Sequence, residues 1–178
     1  MSAYQRAKQW KTFAQVWHVW DAKWQNPILS GPLLAKYLKG THKPIYHPLG
    51  DTGDHVVVIN SRHIALPGDE WRRRAYFHHT GYPGGATWTY AWELHEKDPT
   101  MIVKKAVTRA MERSLLRIQL LEKLHIFPEE EIPEDIRGNI THQIPVLRPI
   151  PRSLLEYTDE QIENFPKIVD YPKDYVVR

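Results

Sequence analysis

Val16-Trp17-His18-Val19-Trp20 is rich in β-forming valine and tryptophan around a single histidine, so this stretch predicts a buried strand. The strongest strand signal is His55-Val56-Val57-Val58-Ile59-Asn60. Its unbroken β-branched run predicts a central strand covered on both faces. Asp51-Thr52-Gly53-Asp54 reads as the turn that feeds it. Between the two strands, Leu33, Leu34, Tyr37 and Leu38 recur at helical spacing. Ser30 is the expected cap, Pro32 falls in the first turn, and Gly40 is the expected residue just past the end. His63-Ile64-Ala65-Leu66 predicts a further short strand or edge, ended by Pro67-Gly68-Asp69. Ala75-Tyr76-Phe77-His78 is a fourth strand candidate.

Helical periodicity then takes over. Thr87 or Thr89 is placed to cap a helix from Tyr90 to Glu96. Asp98-Pro99 suits the start of a longer helix whose inward set is Ile102, Val103, Ala106, Val107, Ala110 and Met111. Lys105, Arg109, Arg113 and Arg117 recur every four residues, a basic stripe on the opposite side if the helix runs on. Ser114 could equally start a second helix, with Leu115, Ile118, Leu121 and Leu124 inward. After Phe127 the texture changes: seven of the fourteen prolines lie in 128–178, and acids dominate. Glu129 to Asp135 could at most seed a short helix, and Thr158-Asp159-Glu160-Gln161 fits a capping box for a helix near 159–164. The rest is expected to be extended, lying along the body or a neighbour, or disordered when free. The division expected is therefore 1–15 as a basic N-terminal segment, 16–127 as the folded body, and 128–178 as an acidic, proline-rich extension.

Charge sharpens that division. The chain has 178 residues and a net charge of +3. Residues 1–127 carry 18 Lys and Arg against 10 Asp and Glu, a balance of +8; residues 128–178 carry 6 against 11, a balance of −5. A basic body points to a polyanionic partner, and −5 suits an extension that meets protein. The first twenty residues hold Arg6, Lys8 and Lys11 and no acid, as in a matrix-targeting segment. There is no cysteine, which excludes disulfides and thiolate metal sites. No stretch approaches the roughly 18 consecutive apolar residues of a membrane span.

The chemistry centres on His78-His79-Thr80-Gly81-Tyr82-Pro83-Gly84-Gly85. Paired histidines suggest a metal or acid–base centre, but the ten histidines are scattered and none lies in an HExxH context. In a strand, residues 78 and 79 would point to opposite faces. No metal and no cofactor are expected. The enzyme alternative is a metal-dependent phosphohydrolase using Asp51, Asp54, His78 and His79. The nucleic-acid reading gathers more residues. Arg72, Arg73 and Arg74 precede the octapeptide, where His78, His79 and Tyr82 could stack or hydrogen-bond. Gly81, Gly84 and Gly85 allow close backbone approach to phosphates. Lys36, Lys39, His42 and Lys43 form a second basic loop cluster, and Lys105, Arg109, Arg113 and Arg117 add the stripe.

A family resemblance covers about residues 16–127. Trp17-His18-Val19-Trp20-Asp21-Ala22, Leu34-Ala35, Gly40-Thr41-His42-Lys43-Pro44 with Tyr46 and Pro48, the block from Asp51 to Asn60, then Tyr76, His78-His79-Thr80-Gly81 and Gly84-Gly85 follow one another as in the ribosomal protein L-thirteen family. The N-terminal segment, Tyr82-Pro83, Leu124-His125-Ile126-Phe127-Pro128 and Ile132-Pro133-Glu134-Asp135-Ile136 resemble its mitochondrial branch. The resemblance implies a three-layer α/β/α domain around a four-stranded, mostly parallel sheet. It also implies a structural, non-catalytic protein of the large mitochondrial ribosomal subunit, located in the matrix. The expected partners are large-subunit ribosomal RNA and, through 128–178, neighbouring ribosomal proteins, with no homo-oligomer. Two departures stand out. Ile28-Leu29 replace the family's Gly-Arg before Leu-Ala, and Arg109-Ala110-Met111-Glu112-Arg113 replaces a Gly-Met-Leu-Pro-Lys segment, which leaves the break between the last helices open.

Overall fold

The computed structural model describes residues 15–48, 50–166 and 172. In chain order the elements are β1 (Trp17–Asp21), α1 (Pro27–Lys39), β2 (His55–Ile59), a 3-10 turn (Ser61–His63), α2 (Glu70–Arg73), β3 (Ala75–His79) and β4 (Ala86–Tyr90). They continue with α3 (Ala91–Lys97), α4 (Met101–Ala110), α5 (Leu116–Leu121), β5 (Leu124–Ile126), α6 (Glu134–Arg137), β6 (Ile140–Gln143), a second 3-10 turn (Leu154–Glu156) and α7 (Asp159–Glu163). Four strands form a parallel sheet in the order β5-β2-β1-β6, with Trp17 opposite His55 and Val57 opposite His125. The α/β class and the parallel sheet match the expectation.

The sheet's outer strands come from unexpected places. Leu124-His125-Ile126, whose first residue had been placed on a helix, is strand β5, and β6 comes from the segment beyond residue 127. The Ile144 N–H continues the ladder to the Val19 carbonyl at 2.8 Å, and its side chain is buried in the core. The Gln25 side chain then holds the chain at Arg148, donating to its carbonyl and accepting from its N–H. Among the described residues, those up to Arg148 form one compact unit and those from Pro149 on a second, within which α7 lies where the sequence places a short helix, although the Thr158 side chain makes no capping bond. His63–Leu66 is not a strand. The chain turns at Ser61–His63, and Ile64 and Leu66 pack into the core from a loop. Ala75–His79 is a strand, but it pairs antiparallel with β4 in a separate hairpin.

One face of the sheet carries Trp20, Val56 and Val58 against Leu34, Ala35 and Leu38 of α1 and Ile102, Val103 and Val107 of α4. Each such large side chain contributes about 1.5–3 kcal/mol when fully buried. On the other face, Trp17, His55 and His125 stack, with Trp17 centred 4.1 Å from His55 and 5.2 Å from His125.

Local signals explain the helix ends. α1 starts at Pro27, four residues earlier than a Ser30 cap implies. Asn26 Oδ1 accepts from the Ile28 N–H, and Pro27 occupies the first position, where its missing N–H costs nothing. Ser30 is therefore inside the helix and buried. Gly40 closes it at φ 76°, donating to the Lys36 and Tyr37 carbonyls, as the sequence indicates. Thr87 and Thr89 lie in β4 and cap nothing; α3 begins after Tyr90, whose N–H the Glu93 carboxylate accepts. Before α4, Asp98 accepts from both the N–H and hydroxyl of Thr100, which holds its carboxyl below the usual range. α4 ends at Ala110 and α5 begins at Leu116, so the helix break is real. Leu115 and Ile118, expected to face inward, are 87 % and 62 % exposed; Leu121 and Leu124 pack against the core as expected, and Leu120 joins them.

Candidate nucleic-acid interface

The break after α4 organises the most strongly basic feature of the body. Met111 leaves helical geometry at φ −89°, ψ 151° while its side chain stays buried. The chain then turns back before α5. A concavity of about 570 Å³ opens between the two helices, lined by Lys104, Lys105 and Arg109 from α4, Arg113 from the turn and Arg117 from α5. Met101, Thr108, Met111 and Leu121 complete the lining, and no carboxylate is among them. Five cations around one hollow repel one another, and an anion placed among them relieves that repulsion. Lys105 and Arg109 also border a smaller hollow of about 220 Å³ shared with Arg74 and Tyr76, and the Lys105 ammonium lies 5.7 Å from the Tyr76 ring centre. Thus Lys105, Arg109, Arg113 and Arg117 converge although no single helix carries them. Lys104 was missed, because four-residue spacing singles out Lys105 and passes over its neighbour. Met101, Lys104, Lys105 and Thr108 recur at i, i+3, i+4, i+7, the signal that could have found it.

The second cluster is mostly engaged within the fold. Lys39 pairs with Glu112 at 2.8 Å. Lys43 binds Asp54 and donates to the Thr52 carbonyl at 3.1 Å. His42 Nε2 lies 3.0 Å from Asp54. Among the described residues, Lys36 is exposed and has no ion pair. Asp54 itself is fully buried and also accepts from the Val16 N–H at 2.8 Å and from His18 Nε2 at 3.1 Å. Burial pushes its carboxyl up, but the bonds from His18, Lys43 and Val16 outweigh that and hold it below the usual range. His18, His42 and Asp54 offer three ligand atoms within 4.8 Å of one another. These contacts already serve as hydrogen bonds, and the Lys43 ammonium supplies the positive charge a metal would bring.

The octapeptide forms the end of β3 and the turn into β4. Thr80 donates to the Gly85 carbonyl at 3.1 Å and Gly85 to that of Tyr82 at 2.9 Å. Gly81 and Gly84 take φ 91° and 76°. His78, His79, Gly81, Tyr82 and Gly84 are all exposed. Upstream, Arg73 pairs with Asp69 and Arg74 with Glu70, while Arg72 has no ion pair among the described residues. The phosphohydrolase set does not form a centre. Asp54 is occupied as described, Asp51 pairs with Lys123, and His78 and His79 sit on the exposed hairpin.

A sequence model described as "Ribosomal protein L13" matches residues 15–133, and the chain belongs to that family, on its mitochondrial branch. It is 56 % identical to the large ribosomal subunit protein uL13m of Drosophila melanogaster over 178 residues, the whole length of both chains. Identity to uL13 of Acholeplasma laidlawii is 38 % over 120 residues, covering 67 % of this chain and 84 % of that one. Identity to uL13 of Kocuria rhizophila is 39 % over 120 residues, covering 66 % and 80 %. These relatives are structural proteins of the ribosome and not enzymes, which removes the phosphohydrolase reading. Among the described residues, no helix is long and apolar enough to cross a membrane.

Proposed function

We propose that the chain is a structural constituent of the large subunit of the mitochondrial ribosome that binds large-subunit ribosomal RNA and so supports mitochondrial translation. The concavity of Lys104, Lys105, Arg109, Arg113 and Arg117, lined by no acid, carries the RNA reading. Phosphates of a folded RNA enter it, and the fixed helix break sets the spacing of the cations. The hairpin tip adds exposed Gly81 and Gly84, where no side chain bars close approach of the backbone, with His78 and Tyr82 beside them. Lys36 and Arg72 are free to add charge at the margins. Lys39, His42 and Lys43 act through the fold, by holding the loop after α1.

In this reading 16–127 is the RNA-binding body, 1–15 a basic leader, and 128–178 the part that meets neighbouring ribosomal proteins, with β6 doubling as the edge of the sheet. Binding to a large-subunit ribosomal RNA transcript, followed across a salt series, tests it. Each lost phosphate contact lowers the slope of log K against log salt by about 1. Arg109→Ala and Arg113→Ala should each do so, and Arg73→Ala, already paired with Asp69, should change it less. Slopes unchanged in Arg109→Ala and Arg113→Ala would remove the concavity from the RNA interface.

A further inference from the structure

The β3–β4 hairpin has two unlike faces. Tyr76 lies half-buried against the core, so its face of the ribbon turns toward the body. The other face is set by the register, which puts Phe77 opposite Trp88, His79 opposite Ala86 and Ala75 opposite Tyr90. Its aromatic residues are open: Phe77 is 52 %, Trp88 65 % and Tyr90 47 % exposed. A contiguous group of this kind on a protein surface marks a contact with another molecule. The RNA reading of the hairpin covers its tip and leaves this face without a role.

We propose that the outer face of this hairpin is a protein-docking surface, covered by an apolar segment of a neighbouring large-subunit protein. Three observations favour protein over RNA. First, no Lys, Arg, Asp or Glu stands on it. Second, His79 Nδ1 accepts from the Gly81 N–H at 2.8 Å, so that nitrogen is engaged within the hairpin and is not offered to a phosphate. RNA contacts draw on cations, and here they lie elsewhere, in the concavity beside α4. Third, Phe77 and Trp88 pack on each other at 4.8 Å and 50°, and Phe77 and His79 at 6.1 Å and 39°. The tilted rings make a ridge, where a stacked base needs an open, flat ring. Aromatic groups depleted of lysine and acid are what the centre of a protein interface contains.

The inference rests on the chain's place in the large subunit but not on where it touches RNA. The test uses the full chain assembled in purified large subunits. Hydroxyl-radical oxidation of Trp88 and Phe77 should be largely lost in the subunit relative to the free chain; undiminished oxidation overturns the proposal. In parallel, chains with p-benzoylphenylalanine replacing Trp88 or Arg113 are irradiated in the subunit. The position-88 adduct should join a ribosomal protein, and the position-113 adduct should join RNA. RNA at position 88 overturns the docking surface and leaves the concavity intact; protein alone at position 113 overturns the concavity and leaves the docking surface intact. If the position-88 chain is not incorporated, ultraviolet irradiation of wild-type subunits decides. A nucleotide on Phe77, Trp88 or Tyr90 overturns the proposal, and oxidation protection without one at those residues supports it.

Discussion

Asp54 shows how much one side chain can carry. It is buried, and four groups converge on it: the Val16 N–H, His18, His42 and Lys43. Removing a buried charge that others depend on strands its partners and costs about 3–5 kcal/mol. Asp54→Ala should lose about that much in urea unfolding. Asp54→Asn, which keeps the shape and some of the bonds, should lose less. The pH dependence has a defined sign. A carboxyl held below its unfolded value, near about 3.9, contributes stability that is present above that pH and lost as pH falls through the folded value. His55 and His125 act earlier. Burial holds both rings below their ordinary value, so the folded state resists charging them as pH drops below about 6.5. Stability should therefore decline in two stages on acidification, and His125→Phe should flatten the first while leaving the second. Little of this was legible. Asp51-Thr52-Gly53-Asp54 is a turn as read, but turn chemistry alone does not say that one of its carboxylates is taken inward by Val16, His18, His42 and Lys43.

At the scale of elements, the loop after α1 passes so close to it that Gly53 has no room for a side chain. A Cβ there would lie 1.8 Å from the Leu38 carbonyl oxygen. That oxygen is helical backbone and cannot swing aside, so Gly53→Ala should cost about 3 kcal/mol or more in denaturant unfolding. At Gly50, where the nearest atom would be 3.5 Å away, the same change should stay within about 1 kcal/mol. β1, β2 and the closing glycine of α1 were legible because they are long, periodic or capped. β5 and β6 were not. Three or four residues are too few for periodicity to separate strand from helix, and what makes Leu124–Ile126 and Ile140–Gln143 strands is pairing with β2 and β1. The helix break belongs to the same class. It lacks glycine or proline, and Met111 turns extended there while its side chain stays in the core, which local propensity does not report.

For the whole molecule, the charge division between body and extension was plain in the sequence, and so was the family. The surface that uses the charge was only partly plain. Four of the five cations of the concavity were picked out, on the supposition of one continuous stripe; the turn between α4 and α5 wraps them around a hollow instead. The second basic cluster reads as surface in the sequence because counting lysines cannot reveal that Lys39 and Lys43 already have carboxylate partners in the fold.

The most direct measurement is a high-resolution map of the large mitochondrial ribosomal subunit containing this chain. Ribosomal RNA phosphates should lie within about 3–4 Å of the ammonium or guanidinium groups of at least three of Lys104, Lys105, Arg109, Arg113 and Arg117. A hollow filled by acidic side chains of another protein, or open to solvent in the complete particle, would contradict the reading.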